Sequence, residues 1–460
     1  MRHGSKVNSQ SREGQVREPG LARSSWFKSG LRNGLALFDQ ALVSGTRFAT
    51  TILVGRICGP SELGIYSLAI TFLILISCLQ QALIGQPYTV YSNRLEGRQK
   101  AMLAGSVLIH YLLISIFGMV VLSLGSLVVF MGAGPARLAP VLLVLAAVIP
   151  FSLLWELGRW FAFAHIKLAH AVALDFGVAV LQVGGLFIIG SQGWLTAATA
   201  YVMVGVGCGL VGLCWLFLTR KNFVINFRAV WLDWKKNWAL GRWLAASQVM
   251  GVLNGQASVW MLALLVGSFA TGLFVAGESI VLLSNPIILG IGNLLCGETA
   301  VAYARGGKAE VKRVTFRAAW LMLGSMVLLY LFLVFAADEL IWLFYGEQYM
   351  EAGEFVAVLA ICTFAWAVTA AVGKGLLAIE RSDIVFRGTW VGLVVTVIFG
   401  LPMVSGAQTF GAAWALLIGS FACAAVQCSA FLWLVRESEL DEVSAIQLDP
   451  SNPVEEDATD

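Results

Sequence analysis

The chain has 460 residues, of which 58% are hydrophobic and only 12% charged, with a net charge of +3 and a mean hydropathy of +0.81. Soluble globular chains carry about 25% charged residues. This composition excludes that class and describes a membrane protein.

The first 34 residues are rich in Ser, Arg and Gly and lack an apolar core, so they read as a cytoplasmic tail rather than a signal peptide. Twelve apolar runs follow, near 35–55, 63–87, 102–131, 138–160, 171–190, 195–218, 243–266, 272–296, 318–337, 352–374, 389–404 and 409–435. Most reach the ~20 residues a helix needs to cross a hydrocarbon core of ~30 Å. They do not alternate in polarity over ~10 residues, as barrel strands do. The expected fold is all-α and polytopic, with about twelve transmembrane helices in two six-helix bundles, 35–218 and 243–435. Between the bundles, Arg220 to Arg242 sets Trp231, Trp234 and Trp238 at helical spacing with Lys235 and Lys236 on another face, the pattern of an amphipathic helix on the inner leaflet, so 219–242 is read as an interfacial linker. The tail 436–460 carries nine Asp/Glu after Arg436 and reads as a solvated end.

Basic connections stay in the cytoplasm. With the N-terminus inside, 27 Lys/Arg fall in cytoplasmic segments or, for Arg159 and Lys374, at the inner ends of spans, and only Arg56 and Arg137 in outer ones, which puts both termini in the cytoplasm. The longest outer connection, 337–353, has no Lys or Arg and no room for an external domain. Seven of eight cysteines lie inside apolar runs, and four histidines without metal-ligand spacing argue against a metal site. No cofactor is expected.

The segment GPSELGIY (59–66) returns as GSFATGLF (267–274), and the same offset of 208 pairs Gln40 with Gln248 and Lys100 with Lys308 without a gap. The offset maps spans one and two onto seven and eight, so the halves run parallel about an axis along the membrane normal. In such transporters the substrate site lies between the repeats. The glycines permit a tight outer turn and close approach of the next helix.

Charges at membrane depth cost roughly 2.5–3.5 kcal/mol and usually face a partner or a wet cavity. Asp39 and Arg47 in span one lie about 12 Å apart along the helix, too far to pair. Span eight carries Glu278 and Asn285 on one face, followed by Pro286, which kinks a helix. Gln81 in span two and Asn254 and Gln256 in span seven complete the cavity candidates: Arg47, Asp39, Glu278, Asn285, Gln256, Asn254 and Gln81. A Glu278–Arg47 pair across the bundles is the structural alternative. Glu156 and Arg159, three apart, are expected to pair locally, with Asp175 joining them.

Arg56-Ile57-Cys58-Gly59-Pro60-Ser61-Glu62-Leu63-Gly64-Ile65-Tyr66 resembles the R-x-x-G-x-x-x-x-G-x-[YF] turn of the polysaccharide transporter (O-antigen flippase-like) family, within the multidrug/oligosaccharidyl-lipid/polysaccharide (MOP) exporter superfamily. Asp39 to Gly45 and Gln80 to Pro87 are similar too, whereas the second copy has no arginine at its turn. The resemblance implies an inverted-V pair of bundles that flips a polyprenyl-diphosphate-linked oligosaccharide across the cytoplasmic membrane for surface polysaccharide (lipopolysaccharide) biosynthesis by alternating access. It implies the lipid-linked oligosaccharide and membrane lipids as partners, glycosyltransferases or a polymerase of the same pathway beside them, no nucleic acid, and a monomer. Arg47, the cation at mid-depth, would meet the diphosphate or an acidic sugar. The alternative is a Na⁺- or H⁺-coupled multidrug or metabolite antiporter using Asp39 or Glu278; a positive cavity lining favours the glycan, a negative one an organic cation. An integral-membrane enzyme ranks below both, because no large outer loop carries reactive side chains.

Overall fold

The computed structural model describes residues 19–132 and 134–447; the outer parts of both expected tails, 1–18 and 448–460, lie outside the described residues. Helix α1 (Pro19–Cys58) starts well before residue 35 and carries Asp39, Arg47 and Arg56. It is followed by α2 (Pro60–Gln80), a π-helical turn at Gln81–Gly85, α3 (Gln86–Ser92), α4 (Gly97–Phe130), α5 (Leu138–Ala164), α6 (Leu168–Ser191) and α7 (Ala197–Thr219). The second half holds α8 (Phe227–Leu265), α9 (Ser268–Val281), α10 (Asn285–Phe344), α11 (Gly353–Ala378) and α12 (Ser382–Gln447). Among the described residues, nine helical segments are long and apolar enough to cross a membrane, and α1 is not one of them.

That figure differs from the twelve runs because two pairs of expected spans are drawn as single long helices with one break each. In α10 the break is Gly306–Gly307, with φ of 59° at Gly307; in α12 it is Ala407–Gln408, with φ of 46° at Gln408. The offset of 208 carries Gly97, where α4 begins, to 305, and Ala197, where α7 begins, to 405, so each break falls where the first half starts a new helix. The expected distortion at Pro286 is also present, and a second, which sequence reasoning did not name, lies at Pro87. A proline leaves the carbonyl four residues earlier without its donor, and the chain answers with the π turn ahead of Pro87 and a 3₁₀ turn, Leu282–Ser284, ahead of Pro286.

The interfacial linker does not end before span seven. Asn226 caps α8 by accepting from the N–H groups of Arg228 and Ala229, and the helix then runs unbroken through Leu265. Its first turns lie on the first half: Val230 O is 2.9 Å from His110 Nε2 on α4, and Gly241 presses on the backbone of Ala82 in the π turn.

The repeated motif lies where the two halves cross. Gly59 and Gly267 take matching backbone angles, φ 85° and 120° with ψ 175° and 177°, in a region open to glycine. Each caps its following helix, accepting from Leu63 N at 3.1 Å and from Thr271 N at 3.2 Å. Helices α2 and α9 then touch through their second glycines. A Cβ on Gly64 would stand 2.0 Å from Ser268 O, and one on Gly272 would stand 1.9 Å from Pro60 O. Subtracting 208 from 272 and 268 returns 64 and 60, so the two approaches are the same contact seen from each half. Without a hydrophobic driving force in lipid, such close backbone packing supplies the adhesion.

More contacts join the halves on this side. Tyr349 Oη donates to Gly55 O at 2.9 Å, Arg56 Nη1 donates to Leu343 O, and the Phe48 and Phe344 rings meet edge-on at 5.3 Å. Apolar side chains that face outward, such as Leu112, Phe117 and Leu124 on α4, form the surface turned to lipid.

Candidate functional site

Two neighbouring cavities share lining residues in this molecule. The first, about 240 Å³, lies inside the first half between α1, α2, α5, α6 and α7, and Arg47, Tyr66, Gln81, Glu156, Asp175 and Gln182 line it. The second, about 780 Å³, separates the halves: Asp39, Gln81, Glu156 and Arg159 face Pro286 to Leu294 of α10 across it. Gln81 and Glu156 border both. The π turn that begins at Gln81 re-aims its side chain toward this junction, a common use of such turns.

Arg159 does not pair with Glu156, as the i, i+3 spacing led one to expect. Its Nη2 reaches Asp39 Oδ2 on α1 at 3.0 Å, and its Nε lies 2.9 Å from Asp175 Oδ2 on α6. Trp155 Nε1 donates to the other oxygen of Asp175 at 3.1 Å, and the guanidinium lies over the Trp155 and Phe163 rings at 5.2 and 5.4 Å. One half-buried cation thus ties three helices and holds two carboxylates. Gln182 adds a further tie, donating to Thr50 Oγ1 on α1 at 2.8 Å. Glu156 is left over: its Oε2 is buried at the junction without a hydrogen-bond partner.

Arg47 lines the inner cavity and forms no ion pair among the described residues; the alternative Glu278–Arg47 pair is absent. The remaining candidates disperse. Gln256 accepts from Thr71 Oγ1 at 3.1 Å and joins the halves at the seam. Asn254 points at α12, near Gly392. Glu278 and Asn285 flank the 3₁₀ turn between α9 and α10, and neither they nor Asn254 and Gln256 line the two cavities. Sequence reasoning missed Glu156, Asp175 and Gln182 as cavity residues. Their only common signal is a polar side chain deep in an apolar run.

No family model matches the chain, and no curated protein does. Solved structures do. An inward-facing conformation of a multidrug resistance MATE family transporter of the MOP superfamily aligns with a TM-score of 0.71 at 18% identity, over 90% of this chain and 96% of that one. The lipid II flippase MurJ in an inward closed conformation gives 0.71 at 14% identity, over 92% and 94%. An outward-facing conformation of a multidrug resistance MATE family transporter gives 0.61 at 18% identity, over 90% and 96%. The chain therefore has the fold that MATE transporters and MurJ share, and it matches the inward-facing form better than the outward-facing one.

Proposed function

We propose that this protein is an alternating-access exporter with twelve spans in two six-helix bundles, and that its cargo is an organic cation moved in exchange for H⁺ or Na⁺. The nine apolar segments, the two internal breaks and α1 together supply the spans. The Lys/Arg distribution supports a cytoplasmic-membrane location with both termini inside.

The observation that carries the choice of cargo is the lining charge. Arg47 and Arg159 stand against Asp39, Glu156 and Asp175, a formal balance of −1. Arg159 already neutralises its two carboxylate partners in part, so Glu156, whose buried Oε2 has no hydrogen-bond partner and which forms no ion pair among the described residues, is the group free to take a proton, a sodium ion or a cationic solute. A buried charge seeks such a partner because isolation costs several kcal/mol. Purified protein in liposomes should move a fluorescent cationic dye when an H⁺ or Na⁺ gradient is imposed, and Glu156→Gln should abolish that movement while the protein still inserts. Gradient-independent dye flux in the wild type, or full activity in the variant, refutes the reading.

One observation favours a second reading, flipping of a polyprenyl-diphosphate-linked oligosaccharide: Arg47 lines the cavity and forms no ion pair among the described residues. A guanidinium placed so suits a diphosphate. On this reading Arg47→Ala abolishes surface glycan export and Arg47→Lys keeps part of it; on the cation reading Arg47→Ala leaves glycan intact.

A further inference from the structure

A third cavity, about 680 Å³, lies apart from the other two, in a groove between the cytoplasmic ends of α5, α6 and α7. Along α6 its lining runs through Lys167, His170, Leu174, Gly177 and Leu181, the single face of a helix, over about 21 Å of axis. That length exceeds the ~15 Å of one leaflet's hydrocarbon, so the groove spans from the headgroup level to mid-membrane. Its two ends differ in chemistry. The deep end is apolar and open to lipid: Leu181 is 39% and Leu210 57% exposed.

The shallow end is cationic. Lys167 and His170 are exposed at the mouth beside His165, and Arg220 and Lys221 directly precede the lining residue Asn222. No carboxylate lines the groove. Burial first, and then the nearby Lys100 and Lys167, push the His165 imidazole below its ordinary value of 6.5, against the opposing hydrogen bond with Phe161 O. Phe161, Trp215 and Phe223 form an aromatic floor, with centroids 5.4 to 6.1 Å apart, at the depth where aromatic side chains settle in bilayers.

We infer that the groove between α5, α6 and α7 binds an anionic phospholipid of the inner leaflet, with the phosphate at Lys167, His165 and His170 and one acyl chain along α6 and α7. Cationic pockets between helices on the cytoplasmic side suit such headgroups, and the lipid-exposed apolar slot admits a tail that a soluble phosphate lacks. The groove shares no lining residue with the transport cavities.

Native mass spectrometry of the purified protein, delipidated and then exposed to equal amounts of phosphatidylglycerol and phosphatidylcholine, tests the assignment without reference to transport. Wild type should retain the phosphatidylglycerol preferentially; Lys167→Gln should lower its retention about fivefold and Lys167→Gln/His170→Gln further still. Cys214→Trp, which fills the exposed middle of the groove, should lower retention of either lipid. Equal retention of both lipids by wild type, unchanged retention in the double variant, or displacement of the lipid by excess inorganic phosphate overturns the proposal.

Discussion

Replacing Gly64 by alanine puts a methyl carbon 2.0 Å from the carbonyl oxygen of Ser268, and contacts below 3.0 Å do not persist, so α2 and α9 must separate by at least 1.0 Å. The obstructing atom belongs to the backbone of a helix and cannot rotate away. Overpacking of this kind costs roughly 1–3 kcal/mol, and because the contact belongs to the closed seam, that cost falls on the state in which the seam is shut. A penalty of this size changes a two-state equilibrium about 5–150-fold. Spin labels at Gly134 and Glu347, in outer loops of the two halves, should therefore report a longer mean distance in Gly64→Ala than in wild type, with Cys214 and Cys296 replaced to prevent side labelling. Gly272→Ala should produce the same shift, and the double variant less than twice the effect, since both methyls force apart one contact. Gly324→Ala is the control: nothing lies within 4 Å of its Cβ position, and alanine adds about 1 kcal/mol of helix propensity. An unchanged distance distribution and Tm in Gly64→Ala would refute the account of the seam.

Arg159→Met strands Asp39 and Asp175 in the interior and should cost about 3–5 kcal/mol, read as a fall in Tm in detergent; adding Asp39→Asn and Asp175→Asn should recover most of it. Tyr349→Phe removes the 2.9 Å bond to Gly55 O, which keeps its bond from Gly59 N, so the loss should be about 0.5–1.5 kcal/mol, read as a fall in Tm. Asp383, hydrogen-bonded to Arg381 and lying beside Arg387, is held below its ordinary carboxyl value of 3.8. A depressed folded-state value stabilises above 3.8 and loses its effect as pH falls through the folded-state value, so Asp383→Asn should show a slightly smaller loss of Tm on acidification than wild type, an exposed pair being weak.

Most of the spans, the distortion at Pro286 and the glycine turns were legible because each is local: a run of apolar residues, a missing donor, a φ that only glycine favours. The partner of Gly64 was half legible, since the offset of 208 named Gly272 as its counterpart without saying that the two would touch. The Arg159 network was not legible. Glu156 stands three residues away on the same helix, while the true partners, Asp39 and Asp175, come from other helices, Asp39 from 120 residues upstream. Nor does the sequence between Trp238 and Ala246 contain a break that would reveal, or deny, the continuity of α8.

That continuity complicates any picture of two bodies rocking about their junction. The near end of α8 is fastened to the first half at His110 and Ala82, and its far end to α12, where Ser258 Oγ donates to Ala412 O at 3.3 Å. A single rod clamped at both ends must flex somewhere between them if the halves swing. The stretch from Gly251 to Gly255 offers the least resistance, two glycines one turn apart with open space where side chains would be. If the halves do swing, the elbow falls inside a membrane helix rather than in the surface connection that the amino-acid pattern marks as the midpoint.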